Sequence, residues 1–284
     1  MTDRQIWWFF VTPCILVGLA VIASLASVFQ YSFREFVPGS LETGGFTLDN
    51  FARIGRPLYF WVILDTFLIS FLTAVFCLLL SYPVAYALVR TQQEWLRTLL
   101  VILAITPLFT GEIVRTYAWM LVLGTEGFIN SGLLALGLIS KPFQFMYTKL
   151  GVVVALVHFS MPVMIILLAT AIGHVNRDYE KAAANLGAPP LTVFWHVTVP
   201  LTMPGIVAGT VVIFAWTMSA FATPQLIGGG KVLMISNLVY LQGLSSFNFP
   251  LAAVLSVVAF IAAVGSLAVI QPFVSRLERR VAQQ

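Results

Sequence analysis

The chain has 284 residues, of which 60% are apolar and only 9% are charged, and its mean hydropathy is +0.96. A soluble domain carries about a quarter charged residues, so this composition excludes a water-soluble enzyme and predicts an all-α polytopic membrane protein. The net charge of +4 comes from scattered basic residues, which gives no support for nucleic acid as a partner.

Six long apolar stretches divide the chain. A helix that crosses the bilayer takes about 20 apolar residues, and stretches of that kind predict six transmembrane helices in a single membrane domain over residues 1–284. These six predicted transmembrane spans cover residues 7–31, 66–89, 99–123, 150–173, 204–223 and 251–275. With six spans, both termini lie on the same side of the bilayer that surrounds the domain.

The distribution of basic residues favours cytoplasmic termini. The connection from Arg90 to Arg97 is short and basic, which is typical of a cytoplasmic loop. Further basic residues flank the first and last spans, namely Arg4, Arg276, Arg279 and Arg280. The loop over residues 174–203 is then cytoplasmic, and the protein is predicted to be a multi-pass protein of the cytoplasmic membrane.

The third predicted span contains two charged residues. Glu112 and Arg115 are three residues apart, so they share one helix face and can neutralise each other. Charged residues inside a membrane are functional candidates, and we interpret this face as part of a translocation pathway in which Glu112 attracts a cation. The alternative is a buried structural ion pair. Asp65, near the outer end of the second span, could also draw cations in, or be a solvated interfacial acid.

Aromatic residues near these charges could line the same pathway, because an aromatic ring binds an amine through cation–π contact. The candidates are Tyr117, Trp119, Trp216 and Phe221. The alternative is ordinary packing and an interfacial belt, since Trp and Tyr are enriched at both membrane faces. His158, in the fourth span, is expected to hydrogen-bond between helices, with a proton relay as the alternative.

No set of residues supports catalysis or metal binding. The chain offers no nucleophile, base and orienting acid together, and its histidines lack metal-ligand spacing. Gly228–Lys231 is superficially similar to a phosphate loop, but Val232 stands where Ser or Thr is required. We expect this segment to be a turn with glycines at positive φ. Without an ATPase motif, we expect no enzyme activity, cofactor or metal in this chain.

The connection between the fourth and fifth spans predicts a short cytoplasmic helix over Asp178–Leu186. Acidic residues at its start suit the positive end of the helix dipole, and alanines follow. Gly187 can take the left-handed conformation that ends a helix, and Pro189 and Pro190 prevent its continuation. A short helix of this kind suits insertion into a groove on another protein.

The same connection resembles the cytoplasmic signature of permease subunits of binding-protein-dependent ABC importers, in which Glu-Ala-Ala, three residues, Gly and nine further residues precede Ile-x-Leu-Pro. Ala182, Ala183 and Gly187 match it, and Val197–Pro200 matches conservatively. Lys181 stands at the position of the signature Glu, with Glu180 one residue earlier. The resemblance extends over most of the chain, through the segments 46–51, 57–60, 115–119, 200–205 and 228–231. This set is most similar to the first permease subunit of spermidine/putrescine importers.

The resemblance implies a pathway for a small organic cation such as putrescine or spermidine, in a bacterial inner membrane. It also implies partners: a second, homologous but distinct permease, two cytoplasmic ATPase subunits that bind ATP and Mg, and an external binding protein. The residues that would contact the ATPase are Glu180, Lys181, Ala182, Ala183 and Gly187. Related permeases for opines, aminophosphonates or ferric ion share the frame and are the alternative.

Two alternatives lie outside this class. The first is an ion-coupled secondary transporter that uses Glu112 and His158, and the second is a membrane-embedded enzyme that acts on lipid. Neither explains an Ala-rich cytoplasmic helix ended by Gly, and a secondary transporter more often shows an internal repeat.

Overall fold

The computed structural model describes the backbone of residues 3–40 and 42–282 and the side chains of residues 8–40 and 42–266. The described chain is almost entirely helical, with one small hairpin. In chain order the elements are α1 (Asp3–Ser32), β1 (Arg34–Phe36), β2 (Thr43–Phe46), α2 (Asp49–Ile54), α3 (Pro57–Arg90), α4 (Glu94–Ile105), a 3₁₀ turn (Thr106–Phe109), α5 (Glu112–Leu123), α6 (Phe128–Ala135), α7 (Lys149–His174), α8 (Arg177–Asn185), α9 (Pro190–Val193), a π-helical turn (Phe194–Thr198), α10 (Val199–Met218), α11 (Ala222–Gly228), α12 (Ile235–Tyr240), a second π-helical turn (Leu241–Ser245) and α13 (Phe249–Ala282).

Six helical segments of the described chain are long and apolar enough to cross a membrane, which confirms the all-α fold with six spans. They cover Trp8–Ser32, Pro57–Arg90, Glu112–Ala135, Lys149–His174, Pro190–Met218 and Phe249–Ser266. The second and fifth begin earlier than the sequence predicts, at Pro57 and Pro190. The basic side chains of Arg4, Arg276, Arg279 and Arg280, on which the predicted orientation partly depends, lie outside the described side chains.

The prediction of one continuous third span over residues 99–123 is wrong. α4 ends at Ile105 and α5 starts at Glu112, with the 3₁₀ turn and an extended Gly111 between them. Pro107 lacks the N–H that would continue the helix, and this apolar stretch gave no change of hydropathy to mark the break. By hydropathy and length the third candidate is Glu112–Ala135, but residues 124–127 interrupt it. Because α4 and α5 both pack along α7, we take this pair as the third crossing.

The chain forms two compact units, Met1–Trp61 with Ile235–Ala262, and Val62–Met234 with Ala263–Gln284; the predicted single domain stays a prediction. In the first unit a two-stranded antiparallel hairpin follows α1, which the sequence analysis did not predict. Phe33 stacks on Phe46 with ring centroids 5.5 Å apart. The Asn50 side chain donates a 2.8 Å hydrogen bond to the carbonyl of Arg34, which fixes α2 against the hairpin.

In the second unit, α7 and α10 pack very closely. Gly205 and Gly209 lie one turn apart on α10, and a Cβ atom at Gly205 would overlap the side chain of Ala171 on α7. A Cβ atom at Gly209 would come within 2.9 Å of the Met164 sulfur. Small residues four apart let membrane helices approach, so this pair is the core against which the other helices of the unit pack.

Candidate functional site

The break between α4 and α5 lies at membrane depth. Arg115, one turn into α5, contacts Phe159 on α7, and Phe159 is ten residues, or about 15 Å, along α7 from Lys149. That depth is close to the middle of a bilayer core about 30 Å thick. Irregular backbone at such a depth is tolerated where it is buried in protein or lines a water-filled cavity. Glu112, directly after the break, is half-buried, so the break marks a candidate pathway.

The predicted neutralisation of Glu112 by Arg115 is wrong for this structure. Among the described side chains, neither residue takes part in an ion pair. The Arg115 guanidinium instead lies over the Phe159 ring, with its carbon 4.3 Å from the ring centroid. Its Nε and Nη1 atoms are buried without a hydrogen-bond partner. The guanidinium thus lies against a ring on α7 rather than in an ion pair with Glu112.

The predicted aromatic candidates fall into two groups. Trp119 donates a 3.1 Å hydrogen bond from Nε1 to Nδ1 of His158, which supports the bridging role expected for that histidine. Trp216 lies edge-on to Phe159, with centroids 6.1 Å apart. Trp119 and Trp216 are thus brought to the Arg115 region by α7. Tyr117, in contrast, is exposed on α5, and Phe221 is half-buried just before α11.

Asp65 is paired with a basic residue rather than solvated alone. Its carboxylate is 2.5 Å from the ammonium of Lys149, the first residue of α7. The pair joins α3 to α7 near one end of both helices.

An apolar groove of about 520 Å³ begins at Lys149 and runs past His158 between α3 and α7. Neither Glu112 nor Arg115 lines it, so its chemistry does not suit a small cation.

The short helix between the fourth and fifth spans has the expected ends. α8 begins after Asn176, whose side chain accepts a hydrogen bond from the N–H of Asp178. Gly187 has a φ of 87°, and the next N–H bonds back to the carbonyl of Ala183 at 3.2 Å, which is the helix-ending arrangement that favours glycine. Ala182 is exposed and Ala183 half-buried on this helix. The prediction of a glycine-capped helix is confirmed.

Glu180 and Lys181 point in different directions. The Glu180 carboxylate accepts hydrogen bonds from Arg90 at the end of α3, at 3.0 and 3.2 Å, and from Thr198 before α10, at 2.8 Å. Lys181 is 69% exposed and pairs with Asp178 at 3.1 Å. A hydrogen bond from the Lys181 ammonium, and its charge, lower the pKa of the Asp178 carboxyl. Glu180 thus anchors the helix, whereas Lys181 faces outward.

A second anchor connects the same two helices. Arg177, the first residue of α8, donates a 2.6 Å hydrogen bond to the carbonyl of Val89 on α3. Sequence reasoning missed Arg90, Thr198 and Phe159 as site residues. Arg90 could have been suspected as a basic residue at a span end close to the acids of α8, but no local signal identifies Thr198 or Phe159.

The glycine segment after α11 is a turn, as predicted. Gly229 and Gly230 have φ of 53° and 77°. A Cβ atom at Gly229 would overlap the ring of Tyr147, and the Lys231 ammonium lies 5.5 Å from the centroid of that ring. The glycines therefore let the segment before α7 pack on this turn, which explains the motif without a nucleotide.

Comparison with known proteins extends these observations. The protein-family model described as "Binding-protein-dependent transport system inner membrane component" matches residues 78–283. The spermidine/putrescine transport system permease protein PotB of Salmonella typhimurium is 37% identical over 212 residues, which cover 75% of this chain and 74% of that protein. PotB of Escherichia coli is 36% identical over 75% of this chain and 77% of its own length.

A solved structure shares the fold. A chain from the crystal structure of a bacterial alginate ABC transporter, in complex with an alginate pentasaccharide-bound periplasmic protein, superposes with a TM-score of 0.79. It is 17% identical, and the match covers 98% of this chain and 95% of that chain.

Proposed function

Because this chain belongs to the inner membrane components of binding-protein-dependent transport systems and is a permease subunit of an ABC importer, we propose that it forms half of a translocation pathway for a small organic cation, putrescine or spermidine. The observation that carries the proposal is the glycine-capped helix α8. Its N-terminal half is bonded to the spans, and its C-terminal end is exposed. The names of the two PotB relatives include both amines. Glu112 offers a carboxylate that would attract these amines.

The exposed surface of α8 supports contact with an ATPase. Leu186, just before Gly187, is 90% exposed, and Tyr179 on the first turn is 60% exposed. Large apolar side chains this exposed on a polar helix mark a surface that another protein covers. We assign Lys181, Ala182 and Gly187 to this contact, together with Ala183, while Glu180 connects the helix to the spans.

The contacts of α8 support a route by which movement of the ATPase subunits would reach the spans. Arg90 and Arg177 tie α8 to the end of α3, and Thr198 ties it to the start of α10. A movement of α8 would therefore move two spans together, and packed helices that move as rigid bodies are the usual means of alternating access. In this scheme two ATPase subunits bind ATP and Mg, and this chain itself holds no cofactor or metal and has no enzyme activity.

The location of Glu112 supports a pathway at the break between α4 and α5. Substrate sites of transporters lie near the bilayer midplane, beside interrupted helices. We assign Glu112 and Arg115 to the pathway wall, and we place Trp119 and Trp216 behind it. Tyr117 and Phe221 remain candidates for the same wall. Asp65 is assigned to the α3–α7 pair instead, because Lys149 neutralises it.

The protein is a multi-pass protein of the inner membrane, and we propose that both of its termini are cytoplasmic. The contacts of Arg90 and Arg177 put the α3–α4 connection and α8 on one side. Arg97 and Lys181 add to the positive charge of that side, as expected for a cytoplasmic surface. A second, homologous but distinct permease would complete the pathway, and an external binding protein would deliver the solute.

Uptake into proteoliposomes tests the proposal. The chain is reconstituted with its second permease, its ATPase and its binding protein, and labelled putrescine or spermidine is supplied outside with ATP inside. We expect uptake only when both ATP and binding protein are present. Uptake that needs neither would refute the importer scheme at α8. ATP hydrolysis stimulated by the binding protein, without amine uptake, would refute the substrate and favour an opine, an aminophosphonate or ferric ion.

A further inference from the structure

Arg115 is held in an unusual way for a cation at membrane depth. Its guanidinium rests on the face of Phe159 at 4.3 Å, while its Nε and Nη1 hydrogens meet no acceptor within the described part of the chain. Leaving buried donors without acceptors is costly, and more so when they carry charge. The cation–π contact offsets part of that cost. An ion pair with a carboxylate would therefore be more favourable for Arg115 than its present contact with the Phe159 ring.

A carboxylate is within reach of the same helix face. Glu112 lies one turn before Arg115 on α5, and side chains three residues apart on a helix are neighbours. Within the described side chains, the Glu112 carboxylate takes part in no ion pair. The structure thus shows an acid and a base on one helix face that do not form an ion pair, with the base resting on an aromatic ring of α7.

We propose that Arg115 is a tethered competitor for Glu112: Phe159 holds the guanidinium aside while an ammonium group of the transported cation occupies the Glu112 carboxylate, and Arg115 takes over that carboxylate as the cation leaves. This inference rests on the proposed function, because it needs a cationic substrate in this pathway. The conformation described here, with Arg115 on Phe159 and Glu112 unpaired, is the one that receives the cation.

The exchange solves an electrostatic problem of release. A carboxylate at membrane depth binds a cation strongly, because a bare charge there is unfavourable. When one cation replaces another at the same carboxylate, no uncompensated charge is left behind. The cation can then leave without a high barrier, and the site returns when Arg115 moves back to the ring.

Phe159 is the positioning residue of this exchange. Its ring is supported on α7 by the edge-on contact with Trp216 of α10, at 6.1 Å. α10 also directly follows Thr198, which donates a hydrogen bond to Glu180 of α8. A movement of α10 driven through α8 would therefore disturb the platform under Arg115, and this would time the exchange to the ATPase cycle.

The test uses the complete transporter in proteoliposomes and measures the putrescine concentration that gives half-maximal ATP-dependent uptake. Phe159→Leu removes the platform, so Arg115 occupies Glu112 and the half-maximal concentration rises by about 3- to 10-fold, as expected for the loss of a desolvated cation–π contact. Phe159→Tyr, the matched control, keeps the ring face and stays within about 2-fold of wild type. Adding Arg115→Met to Phe159→Leu brings the half-maximal concentration down to that of Arg115→Met alone, because the competitor is gone.

A second variant tests release without touching the ring. Arg115→Met alone should lower both the half-maximal concentration and the maximal rate, because nothing displaces the amine from Glu112. Co-purification of the complex and stimulation of ATP hydrolysis by the binding protein confirm that each variant assembles.

The possible failures can be told apart. If the wild-type complex takes up neither putrescine nor spermidine, the proposed substrate is wrong and the exchange falls with it. If the wild type imports putrescine but the double variant stays as poor as Phe159→Leu, or Arg115→Met changes neither parameter, only the competition is overturned.

Discussion

Replacing Glu180 with Ala should loosen α8 from the spans and uncouple ATP hydrolysis from uptake. The carboxylate accepts three hydrogen bonds, two from Arg90 and one from Thr198, and the two charged side chains are only 11% and 15% exposed. Removing one partner of a fully buried ion pair costs about 3–5 kcal/mol. Arg90 keeps the carbonyl of Val175 as an acceptor at 3.3 Å and has some solvent, so we expect about 2 kcal/mol.

The assay compares Glu180→Ala with Lys181→Ala. The two residues are adjacent, but the Glu180 side chain points toward the spans and the Lys181 side chain points outward. Lys181→Ala removes the pair with Asp178, whose side chains are 69% and 72% exposed, and serves as the stability control, for which no loss of stability is expected. The thermal midpoint of the purified complex and the number of ATP molecules hydrolysed per amine imported are measured for both. The midpoint should be lower for Glu180→Ala than for Lys181→Ala, and the ATP cost per amine should rise. Equal thermal midpoints for the two variants would refute the anchoring role of Glu180.

Three further substitutions test other parts of the structure. Gly187→Val should strain the left-handed end of α8 by about 1–2 kcal/mol and raise the ATP hydrolysed per amine, whereas Gly187→Asn, which tolerates this conformation, should be milder; equal behaviour would contradict the role of φ. Gly205→Val should push α7 from α10 and reduce the yield of assembled complex in detergent, since its side chain overlaps Ala171, while Gly173→Ala, which faces open space, should not; normal yield of the first would show that the helices can separate. Glu112→Gln should lower putrescine uptake without loss of assembly, and unchanged uptake kinetics would return this residue to a structural role.

Local chemistry made some features predictable. The number of spans follows from hydropathy, and the end of α8 follows from Gly187 and the prolines after it, because both depend on residues that are adjacent in the chain. The break at Pro107 had a local signal too, but the apolar residues on both sides concealed it. A proline in a membrane helix can kink the span or end it, and only the packing of α4 and α5 on α7 distinguishes these outcomes.

Contacts between distant residues were not predictable in the same way. The spacing of the cytoplasmic signature treats Glu180 and Lys181 as one contact surface, yet Arg90, ninety residues away, turns the first inward and leaves the second outside. In the same way the i, i+3 spacing of Glu112 and Arg115 predicts a pair, but Phe159 on another helix competes for the guanidinium. Periodicity describes which residues share a face, and tertiary neighbours decide what that face holds.

The two arginine anchors at the foot of α8 also have a mechanical meaning. A rod that is clamped at one end and loaded at the other converts a push on its tip into a torque at the clamp. α8 is clamped to α3 through Arg90 and Arg177, and to α10 through Glu180 and Thr198. The stiffness of a few hydrogen bonds would therefore determine how much of the ATPase movement reaches α3 and α10. Weakening these bonds would reduce the movement of the spans without weakening the contact between α8 and the ATPase.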